Sequence, residues 1–307
     1  MSLYRAGLTH AYTVGYWAWE LERLPPKWNF AYTFYSEVWA ATRFAQDAFA
    51  LGDKLDVLLM PMAVDLPEAG TAVTREDFGL AEDEFIFYYG FDFRSYMSRK
   101  NPEAAIKAFL QAFGGTDKKV RLLLKTLAAD SDNDNFLRIK ALVDRDRRIV
   151  LLDREFSRPE LYALISQCNC FVSPHRSEGF GRGPAEAMLL GVPVIATNYS
   201  GNIDFTTPET SIVVDYDLVP LAAGEYPGGE GQVWADIRLD DLAAAMFKLA
   251  SEPETCRMLA KAGQDYMTEH YAVPVVSVKH ASRIRELLAG LGAGETLLES
   301  KKLTSLS

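Results

Sequence analysis

The chain has 307 residues, 49% apolar and 24% charged, close to the averages of a soluble globular protein and long enough for about two domains. Its formal net charge of −10 argues against a broad nucleic-acid footprint or an anionic membrane as the main partner, and still allows a local basic pocket. The longest apolar stretch, Ala187 to Ala196, is too short for a membrane span, the start lacks a signal-peptide core, and three cysteines without a Cys-x-x-Cys pair fit reduced cytoplasmic thiols.

In chain order, aromatics crowd residues 12–34. Val38-Trp39 reads as a strand end, Arg43 to Leu51 as a helix, and Val57 to Met60 as a strand. A linker follows from Pro61 to Pro67. That is at most three strands, too few for an independent doubly wound domain. From Asp83 the pattern becomes regular. Phe85 to Tyr89 is a buried strand, and Ile106, Phe109, Leu110 and Phe113 mark one face of a helix from Pro102. Val120 to Leu124 is a strand, Asn135 to Val143 a helix, and Ile149 to Leu152 a strand. Ser157-Arg158-Pro159-Glu160 is a capping box opening a helix through Ile165. Cys170 to Ser173 is a strand, Pro184 to Leu190 a helix, and Val192 to Ala196 and Ile212 to Val214 are strands. Strands alternating with helices of this length predict a parallel sheet covered on both faces. Residues 215–237, with Gly224, Pro227, Gly228, Gly229 and Gly231, read as a long ordered loop. Helices are expected at 240–250, 253–270 and 275–288, followed by a frayed tail from Gly290.

The chemistry concentrates between Ser173 and Met188. This stretch joins a strand to a helix at the carboxyl edge of the sheet, where open α/β sheets bind ligands. Gly179, Gly181 and Gly183 allow close backbone approach, and the free N–H groups at the helix start can hold an anion such as a diphosphate. Glu178 lies before that helix and Glu186 one turn into it. Carboxylates repel phosphate, so their partners should be hydroxyls, as on ribose or a hexose. One anion site flanked by two hydroxyl acceptors suits a nucleotide-sugar. The glycine spacing is not Gly-x-Gly-x-x-Gly, and no Gly-Lys-Ser/Thr pair marks a P-loop.

Glu178 and Glu186 are separated by seven residues. This element, followed by Gly191-Val192-Pro193-Val194-Ile195-Ala196-Thr197, resembles the nucleotide-sugar-binding domain of retaining glycosyltransferases with the GT-B fold, family 4 (glycosyl transferases group 1). The resemblance extends through Arg99-Lys100-Asn101-Pro102, Ser200-Gly201-Asn202-Ile203-Asp204 and Gly224-Glu225-Tyr226-Pro227, and more weakly back to Gly15–Glu20. It implies an α/β GT-B-type chain with one complete doubly wound parallel-sheet donor domain, residues 66–270, and a partial Rossmann-like acceptor domain, residues 1–65. Residues 271–290 would form a helix packing back toward the amino-terminal part, and 291–307 a flexible tail. Residues 1–65 resemble the end of an acceptor domain, so an open sheet edge and exposed apolar surface are expected, with association through Tyr12–Trp39.

The resemblance also implies roles. Glu186 would accept hydrogen bonds from the donor ribose, and Glu178 would contact the transferred sugar. Gly179 and the backbone of Phe180, Gly181 and Arg182 would meet the sugar and diphosphate, with Lys100 on the diphosphate. Its arginine partner is Arg94 or Arg99, and Lys125 is a further donor-side candidate; each of these cations is otherwise a solvated surface charge. Contacts to the base would come from the main chain around Asp153-Arg154-Glu155. Asp130-Ser131-Asp132 and Asp144-Arg145-Asp146 lie in polar stretches away from strand ends, so a metal-independent enzyme without cofactor is expected. The implied reaction moves a hexose from a nucleotide-sugar to a glycan or glycolipid acceptor in the cytoplasm, which leaves peripheral membrane contact, homo-association or a partner subunit open.

Other residues carry two readings each. His175 either lines the donor pocket or satisfies a backbone carbonyl; His270 and His280 read as surface and His10 as unreadable. Tyr16, Trp17, Trp19 and Trp28 either stack on an acceptor sugar or pack in the core or between domains, and Glu20 beside them is the acceptor-side candidate. Cys168 and Cys170 read as buried packing. A donor-binding fragment needing a partner acceptor domain is the main alternative, and a nucleotide-sugar epimerase a third.

Overall fold

The computed structural model describes residues 12–50, 55–66, 74–130 and 132–304, with side chains through Gly290. His10 and Ser131 lie outside the described residues. Two parallel sheets and one hairpin organise the chain. The small sheet holds β1 (Val14–Trp17), β2 (Glu37–Ala40) and β3 (Val57–Leu59) in sequential order, with α1 (Arg43–Phe49) crossing between the last two. Thr42 opens α1 by accepting from the Ala45 N–H, as an N-cap should.

The large sheet contains β4 (Phe85–Asp92), β5 (Val120–Leu127), β6 (Ile149–Asp153), β7 (Cys170–Ser173), β8 (Val194–Thr197) and β9 (Ile212–Val214). All neighbours are parallel and the spatial order is β6-β5-β4-β7-β8-β9. The chain winds outward from β4 to one edge, returns to β7 beside β4, and winds to the other edge. That reversal is the topological switch point of a doubly wound fold, and ligands bind outside the carboxyl ends of the strands there.

Six helices follow the sequence pattern: α3 (Pro102–Phe113), α4 (Asp134–Val143), α5 (Arg158–Ser166), α6 (Arg182–Leu189), α7 (Leu239–Ser251) and α8 (Pro253–Tyr271). A single turn, α2 (Met97–Lys100), precedes α3; Asn101 joins them in the left-handed region at φ 51°, and Pro102 starts α3 where no N–H is needed. The capping box at Ser157 and Glu160 is formed. Ile86, Phe87, Phe109, Phe113, Leu122 and Val194 are all fully buried between the layers.

Two expectations are corrected. Residues 215–237 are not one loop: β10 (Tyr216–Pro220) and β11 (Val233–Ile237) pair antiparallel, and the glycines and Pro227 lie in their connection. The last helix, α9, runs from Val273 to Thr304, beyond the end expected at Leu288. It returns to the amino-terminal segment. His280 Nε2 lies 3.1 Å from the Pro61 carbonyl, and Arg283 pairs with the fully buried Glu37 carboxylate of β2. His280, read as surface, is therefore half-buried, with its ring 5.3 Å from Trp39.

Candidate functional site

A cleft of about 370 Å³ lies at the switch point, between the large sheet and the amino-terminal segment. Tyr16, Trp17 and Glu20 line one side; Lys100, Glu178, Gly179, Phe180, Gly181, Arg182 and Pro184 line the other. The local sequence explains how the β7–α6 connection folds so tightly. Gly181, at φ 92°, turns the chain into α6 as an N-cap without a side chain. A Cβ on Gly179 would sit 2.8 Å from the Trp19 carbonyl oxygen, so only glycine fits against the amino-terminal segment. The loop is pinned from both sides: Thr42 Oγ1 donates to the Gly179 carbonyl at 2.8 Å, and the Gly201 N–H donates to the Glu178 carbonyl at 2.8 Å.

Glu178 is the electrostatic centre. Its Oε1 lies 2.5 Å from Lys100 Nζ and its Oε2 lies 3.0 Å from Arg99 Nη1. Burial alone would raise its pKa; the adjacent Lys100 and Arg99 outweigh that and hold it at about 2. Arg99 is buried behind the cleft wall, where it also donates to the Ser177 carbonyl at 2.9 Å and lies 4.0 Å from Glu20. Burial opposes its charge, and Glu178 and Glu20 more than restore it. Lys100 keeps its ammonium at the cleft surface, with its side chain 23% exposed. A cation and the uncapped start of α6 thus face one space, an arrangement that suits a diphosphate.

The structure brings Arg99, not Arg94, to Glu178. Arg94 is exposed and bound to Asp92 at 2.7 Å, two residues before it in the chain. Lys125 is buried near Asp153 and Asp92 outside the cleft lining, 5.8 Å from the Phe156 ring; burial lowers its pKa. His175 also lies outside the lining. Its Nδ1 is 2.9 Å from Ser173 Oγ and its Nε2 is 2.8 Å from Asn202 Oδ1, and full burial lowers its pKa. Of its two readings, the geometry matches internal hydrogen bonding. Glu186 points along α6 and accepts from Arg182 Nη2 at 2.9 Å, its side chain 13% exposed. Asp153 accepts from Thr126 Oγ1 at 3.0 Å at the carboxyl end of β6.

Trp19 is buried and packs edge-on against Trp28 of the amino-terminal segment and Tyr226 of the hairpin connection, so its role is packing; Tyr16 and Trp17 do reach the cleft. Glu20 reaches it too, but its Oε2 is already taken by the Tyr226 hydroxyl. Tyr226 and Ser177 were not singled out from the sequence. The Gly224–Pro227 segment carried a signal for Tyr226, and its partner lies 206 residues away. Among the described residues, no three His, Cys, Asp or Glu side chains converge as a metal site requires. No described helix is long and apolar enough to cross a membrane.

The switch-point cleft beside a six-stranded parallel sheet defines a doubly wound α/β domain with a ligand-sized cleft. Residues 75–217 match the model of the family described as Glycosyl transferases group 1. A 73-residue stretch is 36% identical to the lipopolysaccharide core biosynthesis mannosyltransferase LpsB of Rhizobium meliloti, covering 23% of this chain and 20% of that protein. Among solved structures, sucrose-phosphate synthase of Thermosynechococcus elongatus superposes with a TM-score of 0.65 at 21% identity, over 83% of this chain and 59% of its own. Anabaena HepE, solved with UDP and glucose, gives 0.66 at 18% identity, over 84% and 65%. A glycosyltransferase from Rickettsia africae gives 0.67 at 15%, over 88% and 69%. The fold is GT-B-type, and the chain spans about three-fifths of the first of these structures.

Proposed function

We propose that this chain is a glycosyltransferase that moves a hexose from a nucleotide-sugar to a hydroxyl of a glycan or glycolipid, with retention of configuration and without a metal. The observation that carries the reading is the convergence of Lys100, Glu178 and the uncapped start of α6 on one cleft at the switch point. The group 1 glycosyltransferase match over residues 75–217 supports it, as do the mannosyltransferase relative and the UDP-bound HepE structure.

In this reading the diphosphate lies across the start of α6, and Lys100 exchanges Glu178 for a phosphate oxygen. Arg99 stays with Glu178 and keeps the buried carboxylate compensated. Negative charge grows on the departing phosphate as the bond to the anomeric carbon breaks; Lys100 and the helix N–H groups stabilise it. The acceptor oxygen bonds to the same face of that carbon. Its proton passes to the leaving phosphate oxygen, so no protein base is consumed. Glu178 accepts a hydrogen bond from the sugar and Glu186 from the ribose. The two carboxylates bind and do not form the acid–nucleophile pair of a retaining hydrolase.

A thermal-shift panel of UDP-, GDP- and ADP-sugars tests the donor site. A ligand at about a hundred times its dissociation constant adds about 2.7 kcal/mol of stability. No shift with any of them would remove the reading. Transfer that survives EDTA supports the metal-free route; loss restored by magnesium or manganese refutes it. A second reading, a donor-binding unit working with a partner acceptor domain, is favoured by the three-stranded small sheet and by the 59% coverage of the first solved relative. Transfer by a purified monomer of the 307-residue chain excludes that alternative.

A further inference from the structure

The connection between β10 and β11 has no part in the reaction above, yet its Tyr226 reaches Glu20, one of the residues that line the cleft. Tyr226 is buried, donates its hydroxyl to Glu20 Oε2, and packs edge-on against Trp19 at 5.6 Å and Tyr96 at 4.7 Å. Tyr96 precedes α2 and its carbonyl accepts from the Arg99 and Lys100 N–H groups, so the same ring steadies the turn that carries both cations. Glu20 Oε1 faces Arg99 Nη2 at 4.0 Å, while Arg99 Nη1 faces Glu178 Oε2 at 3.0 Å.

Arg99 therefore stands between two carboxylates, one from the amino-terminal segment and one from the β7–α6 loop. Its Nε is buried without a partner, so the guanidinium is held through its two terminal nitrogens. An arginine facing one carboxylate tends to pair with it through two parallel bonds and to occupy both oxygens. Glu20 draws Nη2 the other way. Glu178 is left with Oε2 anchored on Arg99 and Oε1 directed to Lys100 at the cleft.

We infer that Glu20 and Tyr226 are positioning residues that act through Arg99, holding Glu178 with one oxygen anchored and the other presented to the donor sugar. This rests on the reading that Glu178 meets that sugar. It also reassigns Glu20: an acceptor-side residue by chain position serves the donor side by contact. The hairpin and the amino-terminal segment thereby complete a site whose other parts lie at the switch point.

Titration calorimetry on the full chain with UDP and UDP-glucose, and with GDP and GDP-mannose, tests this. The quantity read is the affinity for the sugar nucleotide relative to its own nucleoside diphosphate. Glu178→Gln should lower that ratio. Tyr226→Phe, which keeps the ring, and Glu20→Gln should each lower it about threefold to tenfold, with diphosphate affinity unchanged. Combined with Glu178→Gln, neither should lower it further, since both act through that residue. A ratio untouched by Glu20→Gln and Tyr226→Phe but lowered by Glu178→Gln overturns the positioning role. Equal weakening of both ligands, or additive effects, overturns it as well. A ratio unmoved by Glu178→Gln itself, or no binding of either pair, overturns the underlying sugar-contact reading. If Glu20→Gln does not fold, Tyr226→Phe alone decides.

Discussion

The large and small sheets obey the same parallel rule but differ in what covers them. The six-stranded sheet buries Ile86, Phe109, Leu122, Ile165, Val194 and Met246 from its own stretch of chain, and among the described residues its buried cluster takes only Ala41 and Val64 from the amino-terminal segment. The three-stranded sheet cannot do that. Its cluster of Leu21, Val38, Ala45 and Phe49 is completed by Tyr199, Leu221, Tyr226 and Trp234 from the other side of the seam. A sheet with one crossover helix lacks the layers to close a core alone, so an interface supplies them. The contacts that stabilise the small region also hold it against the large one, and the cleft lies along that seam.

The largest expected effect tests whether the two regions melt together. All five tryptophans, residues 17, 19, 28, 39 and 234, belong to the small sheet, its flanks or the hairpin. Tryptophan fluorescence therefore reports the seam, while far-ultraviolet dichroism reports mainly the large domain. Phe109→Ala empties a fully buried position in the large core and should cost about 3–5 kcal/mol. Urea unfolding should show both signals moving to the same lower midpoint. Fluorescence that keeps its wild-type midpoint would mean that the small region closes a core of its own.

The second effect concerns charge at the seam. Glu178 is held at about pKa 2 against an ordinary 4.5, so the native state prefers the carboxylate more than the unfolded chain does. Its contribution is fully present above about pH 5 and is lost as pH falls from about 4.5 toward 2. The stability gap between wild type and Glu178→Gln should therefore narrow across that window. Urea titrations at pH 7, 5, 4 and 3 measure it; a gap constant over the range would mean that Lys100 and Arg99 do not depress this group.

The same contrast explains what could be read from the sequence. The large sheet's strands each contain an apolar run, such as Phe85–Tyr89 in β4 and Leu122–Leu124 in β5, and each was legible to within a few residues because strands covered on both faces demand such runs. The hairpin was not: Asp217 and Pro220 interrupt β10, and five glycines and prolines in the connection dominate its composition. Gly290, Gly292 and Gly294 look like stops, yet α9 passes through them. At the site, Glu178 and Lys100 were legible because both are fixed by motifs on the sheet edge. Whether Arg94 or Arg99 joins them depends on the single turn α2 and the left-handed Asn101, and the Glu20–Tyr226 contact spans 206 residues; neither leaves a local pattern.

A smaller effect is expected where Thr42 fastens the two regions. Its hydroxyl accepts from the Ala45 N–H as the α1 cap and donates to the Gly179 carbonyl at 2.8 Å. Thr42→Ala should cost about 1–2 kcal/mol in urea unfolding, combining a lost cap with one partly buried hydrogen bond. Thr42→Ser keeps the hydroxyl and should recover most of it. If serine is as damaging as alanine, the methyl group's packing and not the bond is what matters.

The smallest effect separates cations that face the seam from those that do not. Arg94 and Lys100 both follow β4 and both were candidates for the diphosphate. Lys100 lines the cleft beside Glu178, whereas Arg94 is 71% exposed and already paired with Asp92. Exposed pairs of this kind contribute little, because water and salt screen them and two long side chains must be ordered. Arg94→Ala should therefore change diphosphate affinity by about twofold or less. Lys100→Ala should weaken it by an order of magnitude or more, as expected for a lost charge-assisted contact, and leave nucleoside binding unchanged. Calorimetry with UDP and with uridine compares the two. Equal losses would mean that Arg94 leaves Asp92 and swings to the cleft when the donor binds, and that the seam does not decide which cations take part.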